Sequence, residues 1–224
     1  MIIMNQEPKA YSHIIFDLDG TLVDTLPDLV GTVLQIMKKY GFEEKSEEFV
    51  RSCIGGGARN LLLRCLGAEN EALIDSELMA YFTAYYSENC SVRSKVYPGV
   101  KDVLDYYKQK GTALSVATFK IRSATERIFN DFGLMDYFDV IVTADDVKNP
   151  KPAPDCINAI LGQYQCGPED AILIGDTKTD YQTGANAGVA VCGVTYGYGE
   201  PSVIEGLKPA YVIDNITKMQ QLIL

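Results

Sequence analysis

Two carboxylates stand two residues apart near the start of the chain, as Asp17 and Asp19, and Gly20 follows them. Side chains alternate along an extended backbone, so both aspartates can face the same way while Leu18 points elsewhere. Carboxylates at this spacing can hold a hard cation, and they can divide a group transfer between one that attacks and one that exchanges a proton. An ordinary polar strand end with an Asp-Gly turn has the same residues, so the pair alone leaves both interpretations open.

Hydroxyl, ammonium and carboxylate groups that could take part in the same chemistry follow three later apolar segments. Thr118 could donate its hydroxyl hydrogen to an anionic oxygen. Lys151 lies in the proline-rich loop 148–155, whose restricted backbone would hold an ammonium group that neutralises negative charge. Asp176 and Asp180 stand four residues apart, which is about one turn of a helix. Taken singly, each group is also typical of a helix cap or a solvated loop.

Short apolar runs alternate with amphipathic segments along most of the chain, and these runs predict buried parallel strands. The alternation predicts an α/β protein with a doubly wound, Rossmann-like parallel sheet, whose ligand site lies beyond the carboxyl ends of the strands. The polar groups described above all follow such ends, so we expect them to converge on one crevice. The expected strands are His13–Phe16, Thr112–Ala117, Phe138–Val142, Ala171–Ile174, Val189–Val194 and Ala210–Ile213.

One stretch breaks this alternation, because between Leu26 and Asn89 the apolar residues have helical spacing and form no convincing strand. Long helices are expected before Gly41 and over Leu73–Tyr86. We therefore predict a Rossmann-like core over residues 1–25 and 93–224 and an inserted helical cap over residues 26–92. Since both crossings join the mouth of the sheet, the insert is interpreted as a lid. The alternative is an additional layer of packed helices.

Composition argues against several classes of protein. The formal net charge of −10 is unsuited to binding a nucleic-acid backbone. The six scattered cysteines favour free thiols over a disulfide framework or a zinc site, and a single histidine, His13, nearly excludes a histidine-based triad. We find neither a signal peptide nor an apolar run of membrane-spanning length. The expectation is a cytoplasmic monomer or weak dimer with no nucleic-acid or membrane partner.

The order and spacing of the four motifs resemble those of the haloacid dehalogenase superfamily. They are DxDGTLxDT over Asp17–Thr25, the hydroxyl residue Thr118, the Lys-Pro motif at Lys151, and GDxxxD, which places acids at Asp176 and Asp180. The helical insert looks like the α-helical cap of the branch that contains phosphoglycolate phosphatase and β-phosphoglucomutase. The segments Ile54–Arg59 and Asp145–Val147 bring the chain closer to phosphoglycolate phosphatase.

The resemblance implies a magnesium-dependent phosphatase that acts on a small phosphorylated metabolite. In that scheme Asp17 attacks phosphorus, and Asp19 protonates the leaving oxygen and then activates water. Thr118 and Lys151 complete the catalytic set. The Mg²⁺ ligands would be Asp17, the backbone carbonyl of Asp19, and Asp176. Asp180 would orient Lys151 or the waters of the metal.

The resemblance also implies residues that bind the substrate: Gly20, Arg59, Phe119 and Lys120. Arg59 follows three glycines of the cap and could pair with a carboxylate or a second phosphate. Phe119 is a departure, because the branch commonly has asparagine at this position. An apolar ring there removes a hydrogen-bonding side chain from beside the substrate.

Three other functions share part of this pattern. A dehalogenase would use the same nucleophile against carbon, but it would need neither Asp19 nor Asp176. A phosphosugar mutase of the β-phosphoglucomutase type has the same core motifs, and it differs by protecting its aspartyl-phosphate from water. A non-catalytic binding protein is expected to have lost a core residue, and none is lost here.

Overall fold

A seven-stranded sheet forms the centre of the computed structural model, which describes the whole chain, Met1–Leu224. Its strand order is β1-β9-β8-β7-β2-β5-β6, and all neighbours are parallel except β1 and β9. Two further strands, β3 and β4, form a separate antiparallel ribbon. The strands are β1 (Ile2–Met4), β2 (His13–Phe16), β3 (Val23–Asp24), β4 (Lys95–Val96), β5 (Ala113–Ala117), β6 (Val140–Val142), β7 (Ala171–Gly175), β8 (Ala190–Val194) and β9 (Tyr211–Ile213).

Helices cover the sheet and fill the insert. They are α1 (Leu26–Tyr40), α2 (Glu47–Ser52), α3 (Gly57–Leu66), α4 (Glu71–Leu73), α5 (Met79–Asn89), α6 (Val100–Gln109), α7 (Arg122–Phe132), α8 (Asp155–Tyr164), α9 (Lys178–Ala187) and α10 (Pro201–Gly206). Short 3₁₀ segments occur at Ala68–Asn70, Met135–Tyr137, Ala144–Asp146, Pro168–Asp170 and Ile216–Gln221. No helix is both long enough and apolar enough to cross a membrane.

The predicted fold class is confirmed, and all six expected strands are present with ends shifted by two residues or fewer. Sequence reasoning missed the edge strand β1, whose three residues are too few to show a period. The helix predicted over Leu73–Tyr86 is present as an uninterrupted helical run in which a π-helical turn at Ile74–Leu78 joins α4 to α5. The six cysteines are free thiols.

The strand β2, which lies between β5 and β7, is buried on both of its faces. Ile14 and Phe16 belong to a large apolar cluster that continues into the insert, whereas Ile15 packs into a smaller cluster on the opposite face. All three side chains are fully buried. A strand covered on both sides reads as a continuous apolar run, which is why the sequence His13–Phe16 predicts it well.

The insert leaves and rejoins the core through the ribbon of β3 and β4, in which Val23 pairs with Val96. Asp28 is buried in the first turn of α1. It links the two chain segments through which the insert leaves and rejoins the core. Its carboxylate accepts hydrogen bonds from the amides of Arg93 and Ser94 and from the Ser94 hydroxyl, at 2.7 to 3.0 Å. The same carboxylate lies at the positive end of the α1 dipole.

We expect Asp28→Asn to lower the free energy of unfolding by about 1 to 3 kcal/mol, because its amide group would turn a donor toward backbone N–H groups that need an acceptor. Urea unfolding followed by circular dichroism measures the change. Asp102→Asn is the matched control, since Asp102 is an exposed acid in the first turn of α6. Equal stabilities for the Asp28 variant and the wild type would show that Asp28 does not hold the crossings.

Candidate active site

Three neighbouring strands at the centre of the sheet end in polar residues. β2 lies between β5 and β7, and Phe16 is in register with Val116 on one side and Ile174 on the other. Asp17, Thr118 and Asp176 therefore follow adjacent strand ends at nearly one level. All three residues are buried. Parallel strand ends meet at one edge of a sheet, so the topology brings together groups that are far apart in sequence.

Lys151 joins two of the acids. Its ammonium group donates to Asp17 Oδ1 at 2.8 Å and to Asp180 Oδ1 at 2.7 Å. Burial would lower the pKa of Lys151, but the charges of Asp17 and Asp180 outweigh burial and raise that pKa above its ordinary value. The lysine is therefore a permanent cation beside Asp17.

Asp180 is held at the start of α9. Its second carboxylate oxygen accepts hydrogen bonds from the Thr177 amide at 3.0 Å and the Thr177 hydroxyl at 2.6 Å, and the Thr177 hydroxyl in turn accepts from the Asp180 amide. This reciprocal capping box fixes the carboxylate. Both oxygens of Asp180 are thus already used, one by the cap and one by Lys151.

Asp176 is fully buried and receives two hydrogen bonds. The Thr21 hydroxyl donates to Oδ1 at 3.2 Å, and the Tyr198 amide donates to Oδ2 at 2.6 Å. Two glycines allow this packing. A Cβ on Gly20, which has φ +84°, would lie 2.3 Å from Asp176 Oδ2, and a Cβ on Gly197 would lie 2.4 Å from the same oxygen.

Asp17, Asp176 and Asp180 offer carboxylate oxygens that all lie within 4.8 Å of one another. Burial raises the pKa of Asp17 well above its ordinary value, against the opposing charge of Lys151. Burial and the like charge of Asp180 raise the pKa of Asp176 to about 7. The raised pKa values show that these acids ionise reluctantly without a further positive charge, and a cluster of carboxylate oxygens of this kind suits a hard divalent cation.

Asp19 points away from this cluster and is partly exposed. Its Oδ1 accepts from the Thr25 hydroxyl at 2.5 Å and lies 2.9 Å from Lys120 Nζ. Lys120 is buried and also donates to the hydroxyl of Tyr86 on α5, at 2.6 Å, with its ammonium 4.5 Å from the centre of that ring. Lys120, expected to bind substrate, is thus engaged by the core and the insert together.

Backbone amides beside Asp17 are available to an anion. The N–H groups of Leu18 and Asp19 donate to no acceptor within the protein, whereas that of Gly20 is taken by the Val23 carbonyl at 2.9 Å. The Thr118 hydroxyl accepts from the Lys120 amide at 3.1 Å and keeps its own hydrogen free to donate. The amides that can contact an anionic oxygen are therefore those of Leu18 and Asp19, and the Gly20 amide is not among them.

Arg59 lies in α3 of the insert, apart from these groups. Its guanidinium group donates to Asp75 at 2.7 and 2.8 Å and to Glu71 at 2.6 Å, and the side chain is half exposed. Its charge is thus balanced within the insert. Phe119 is partly buried, and a Cβ on Gly57 would lie 3.8 Å from its ring. The glycine-rich turn of the insert therefore approaches the strand ends at Phe119.

Sequence reasoning missed four residues that contact the predicted ones. Thr21 and Thr25 stand inside the first motif, so their positions were available as a signal. Tyr86 and Tyr198 come from distant segments without a motif, and their contacts follow only from the fold.

Comparisons with known proteins agree with this geometry. Residues 14–194 match the family model of haloacid dehalogenase-like hydrolases. A phosphoglycolate phosphatase of Nitrosococcus oceani is 30% identical over 96% of this chain and 97% of its own length. That of Haemophilus influenzae is 33% identical over 91% of this chain and 94% of its own.

Solved structures give the same result. The crystal structure of a predicted phosphoglycolate phosphatase from Haemophilus somnus has a TM-score of 0.85 and 30% identity, and the match covers 94% of this chain and 97% of that one. The family and enzyme class expected from the motifs are confirmed. The chain belongs to the haloacid dehalogenase-like hydrolases.

Proposed function

We propose that this protein is a Mg²⁺-dependent phosphomonoester hydrolase that forms an aspartyl-phosphate on Asp17. The supporting observation is the ion pair between Asp17 and Lys151, which lies at the end of the central strand and within reach of Asp176. A buried carboxylate beside a permanent cation and two unused backbone amides, those of Leu18 and Asp19, can approach an anionic phosphoryl group without prohibitive repulsion.

Asp17 carries out the first displacement. Its carboxylate oxygen forms a bond to phosphorus while the bond from phosphorus to the ester oxygen breaks, and Lys151 and Thr118 stabilise the phosphoryl oxygens. Asp19 gives a proton to the leaving oxygen. In the second displacement Asp19 takes a proton from water, the water oxygen bonds to phosphorus, and Asp17 is released with inorganic phosphate.

Asp17, Asp176 and the backbone carbonyl of Asp19 would hold the Mg²⁺ ion, and Asp180 would act indirectly by orienting Lys151. When bound, Mg²⁺ supplies positive charge that offsets the carboxylates and polarises the phosphoryl group. Asp180 is the least suited of the three clustered acids to bind metal directly. Its carboxylate accepts three hydrogen bonds, one of them from the Lys151 ammonium group, whereas Asp176 accepts two and is paired with no cation.

A small phosphorylated carboxylic acid, 2-phosphoglycolate, is the proposed substrate. The support is the name shared by relatives that are about as long as this chain. A second anionic group on the substrate needs a cation on the cap side. Arg59 is the candidate, since it follows the glycine turn that approaches Phe119. To bind, it would exchange Asp75 or Glu71 for the substrate carboxylate.

Asp17→Asn should abolish turnover of every phosphomonoester while the fold remains intact, because an amide is nearly isosteric with the carboxylate but cannot attack phosphorus. Phosphate release measures turnover, and intact-protein mass spectrometry after a rapid acid quench detects the phosphoryl adduct. Asp139→Asn, at an exposed acid paired with Lys108, is the control. Activity above roughly a tenth of the wild-type rate would contradict Asp17 as the nucleophile.

Mg²⁺ should raise the melting temperature by roughly 5 to 10 °C at concentrations near a hundred times its dissociation constant.

The pKa of Asp176 rises from 3.8 when unfolded to about 7 when folded, so metal-free protein loses stability as the pH increases between these values. Asp176→Asn should flatten that loss and abolish the Mg²⁺ shift. Differential scanning fluorimetry from pH 5 to 8 tests both effects, and an unchanged Mg²⁺ shift in the variant would remove Asp176 from the ligand set.

Arg59→Ala should lower kcat/KM for 2-phosphoglycolate by about ten- to a hundredfold and change acetyl phosphate hydrolysis little, because acetyl phosphate has no carboxylate. The expected loss of kcat/KM is limited because Arg59 must give up an ion pair with Asp75 or Glu71 in order to bind the substrate. Arg51→Ala, at an exposed arginine of α2, is the control. Equal losses on both substrates would assign Arg59 to the folding of the insert, and no loss on either would exclude it from substrate binding.

A further inference from the structure

The first helix of the insert, α1, lacks the usual side-chain cap at its N-terminus. Thr25 occupies the N-cap position, but its side chain makes no capping hydrogen bond. The hydroxyl oxygen of Tyr198 instead accepts from the amides of Thr25 at 2.7 Å and Leu26 at 3.0 Å. A residue 173 positions away thus satisfies two backbone donors at the start of α1, and Asp24 Oδ1 gives the Leu26 amide a second acceptor at 3.3 Å.

The Tyr198 hydroxyl also lies 3.2 Å from the Thr25 hydroxyl, so it contacts both the backbone and the side chain of Thr25. The Thr25 hydroxyl donates to Asp19 Oδ1 at 2.5 Å. The Tyr198 hydroxyl hydrogen has its own acceptor in Asp24 Oδ1, at 3.2 Å. Thr25 is fully buried, so water does not compete with protein groups for its hydroxyl.

The loop that carries Tyr198 is held against the proposed metal ligand Asp176. The Tyr198 amide donates to Asp176 Oδ2 at 2.6 Å. Glycines on both sides permit the approach, since a Cβ on Gly199 would lie 1.9 Å from the Asp176 carbonyl oxygen and a Cβ on Gly197 would overlap the Asp176 side chain. The two ends of Tyr198 therefore contact two different parts of the site.

We infer that Tyr198 is a positioning residue for the proposed hydrolysis. Its hydroxyl binds the first amides of α1 and contacts the Thr25 hydroxyl, which holds Thr25 in place to orient Asp19, and its amide fixes Asp176. The inference rests on the proposed function for its catalytic consequence and on geometry alone for the capping. Without the Tyr198 oxygen, the Thr25 amide loses its acceptor and the Thr25 hydroxyl loses its contact at 3.2 Å, so the residue that orients Asp19 is held less firmly. The contact that sets the direction of Asp19 is then weakened.

Tyr198→Phe removes the hydroxyl and retains both the ring and the backbone contact to Asp176. We expect kcat for an alkyl phosphate to fall about tenfold and kcat for p-nitrophenyl phosphate to fall less than about twofold, because nitrophenolate leaves without a proton from Asp19. Thr25→Val should give the same pattern. Adding Tyr198→Phe to Thr25→Val should cost no further activity, since both act through one contact.

Tyr107→Phe is the matched control, because it also removes a buried hydroxyl, one that donates to the Ile223 carbonyl far from the site. Losses of equal size on both substrates, or additive losses in the double variant, would overturn the positioning role, since general destabilisation does not discriminate between leaving groups. Melting temperatures of all variants identify any that are unfolded at the assay temperature.

Amide hydrogen exchange tests the cap without any activity. The Thr25 amide should exchange at least about tenfold faster in Tyr198→Phe than in the wild type, and Tyr107→Phe should leave it unchanged. Unchanged Thr25 exchange in Tyr198→Phe would overturn the capping. A wild-type protein inactive on both phosphate esters would contradict the proposed function instead, and the exchange result would still decide whether Tyr198 caps α1.

Discussion

The buried ammonium group of Lys151 is the interaction on which the site depends. Asp17 and Asp180 each lie within hydrogen-bonding distance of it, and Asp176 stands nearby with no cation of its own. Removing charged groups from water costs several kcal/mol each unless they are paired. One lysine cannot neutralise three carboxylates, so burial raises the pKa of Asp17 and of Asp176 in the folded protein, and a bound cation would favour their ionised forms. The buried carboxyl groups thus cost folding stability at the same site where we propose that the reaction takes place.

The remaining architecture serves to hold groups around that lysine. The central strand β2 receives neighbours on both sides, so the acids that follow β2 and β7 come within a few ångströms of each other. The insert reaches the same region through Tyr86. The Tyr86 hydroxyl accepts a hydrogen bond from Lys120, which lies beside Asp19. Polar contacts therefore run continuously from the core to the insert. A shift of α5 would move Tyr86 and so disturb the contact between Lys120 and Asp19.

Sequence reasoning recovers what depends on local pattern. The continuous apolar run of β2 predicts a doubly buried strand, and the acids that follow it predict the edge at which the site forms. Contacts between segments that are distant in the sequence cannot be predicted from local pattern. Tyr198 has no motif and reaches α1 only because the loop after β8 folds over Asp176, and Arg59 looks unpaired until α3 is packed beside Asp75 and Glu71. Gly20 was expected to offer its amide to substrate, but the local turn uses that amide internally.

The ribbon of β3 and β4 makes the insert a detour that begins and ends at one place. Val23 and Asp24 lie directly opposite Val96 and Lys95, which is the geometry of a hairpin stem, and antiparallel strands can be joined by a turn of two residues. No strand of the seven-stranded sheet lies between the two stem strands, so the insert adds nothing to the hydrogen bonding of that sheet. The stem therefore joins the insert to the core beside the loop that carries Asp17 and Asp19, so a rotation of the insert about the stem would be transmitted directly to that loop.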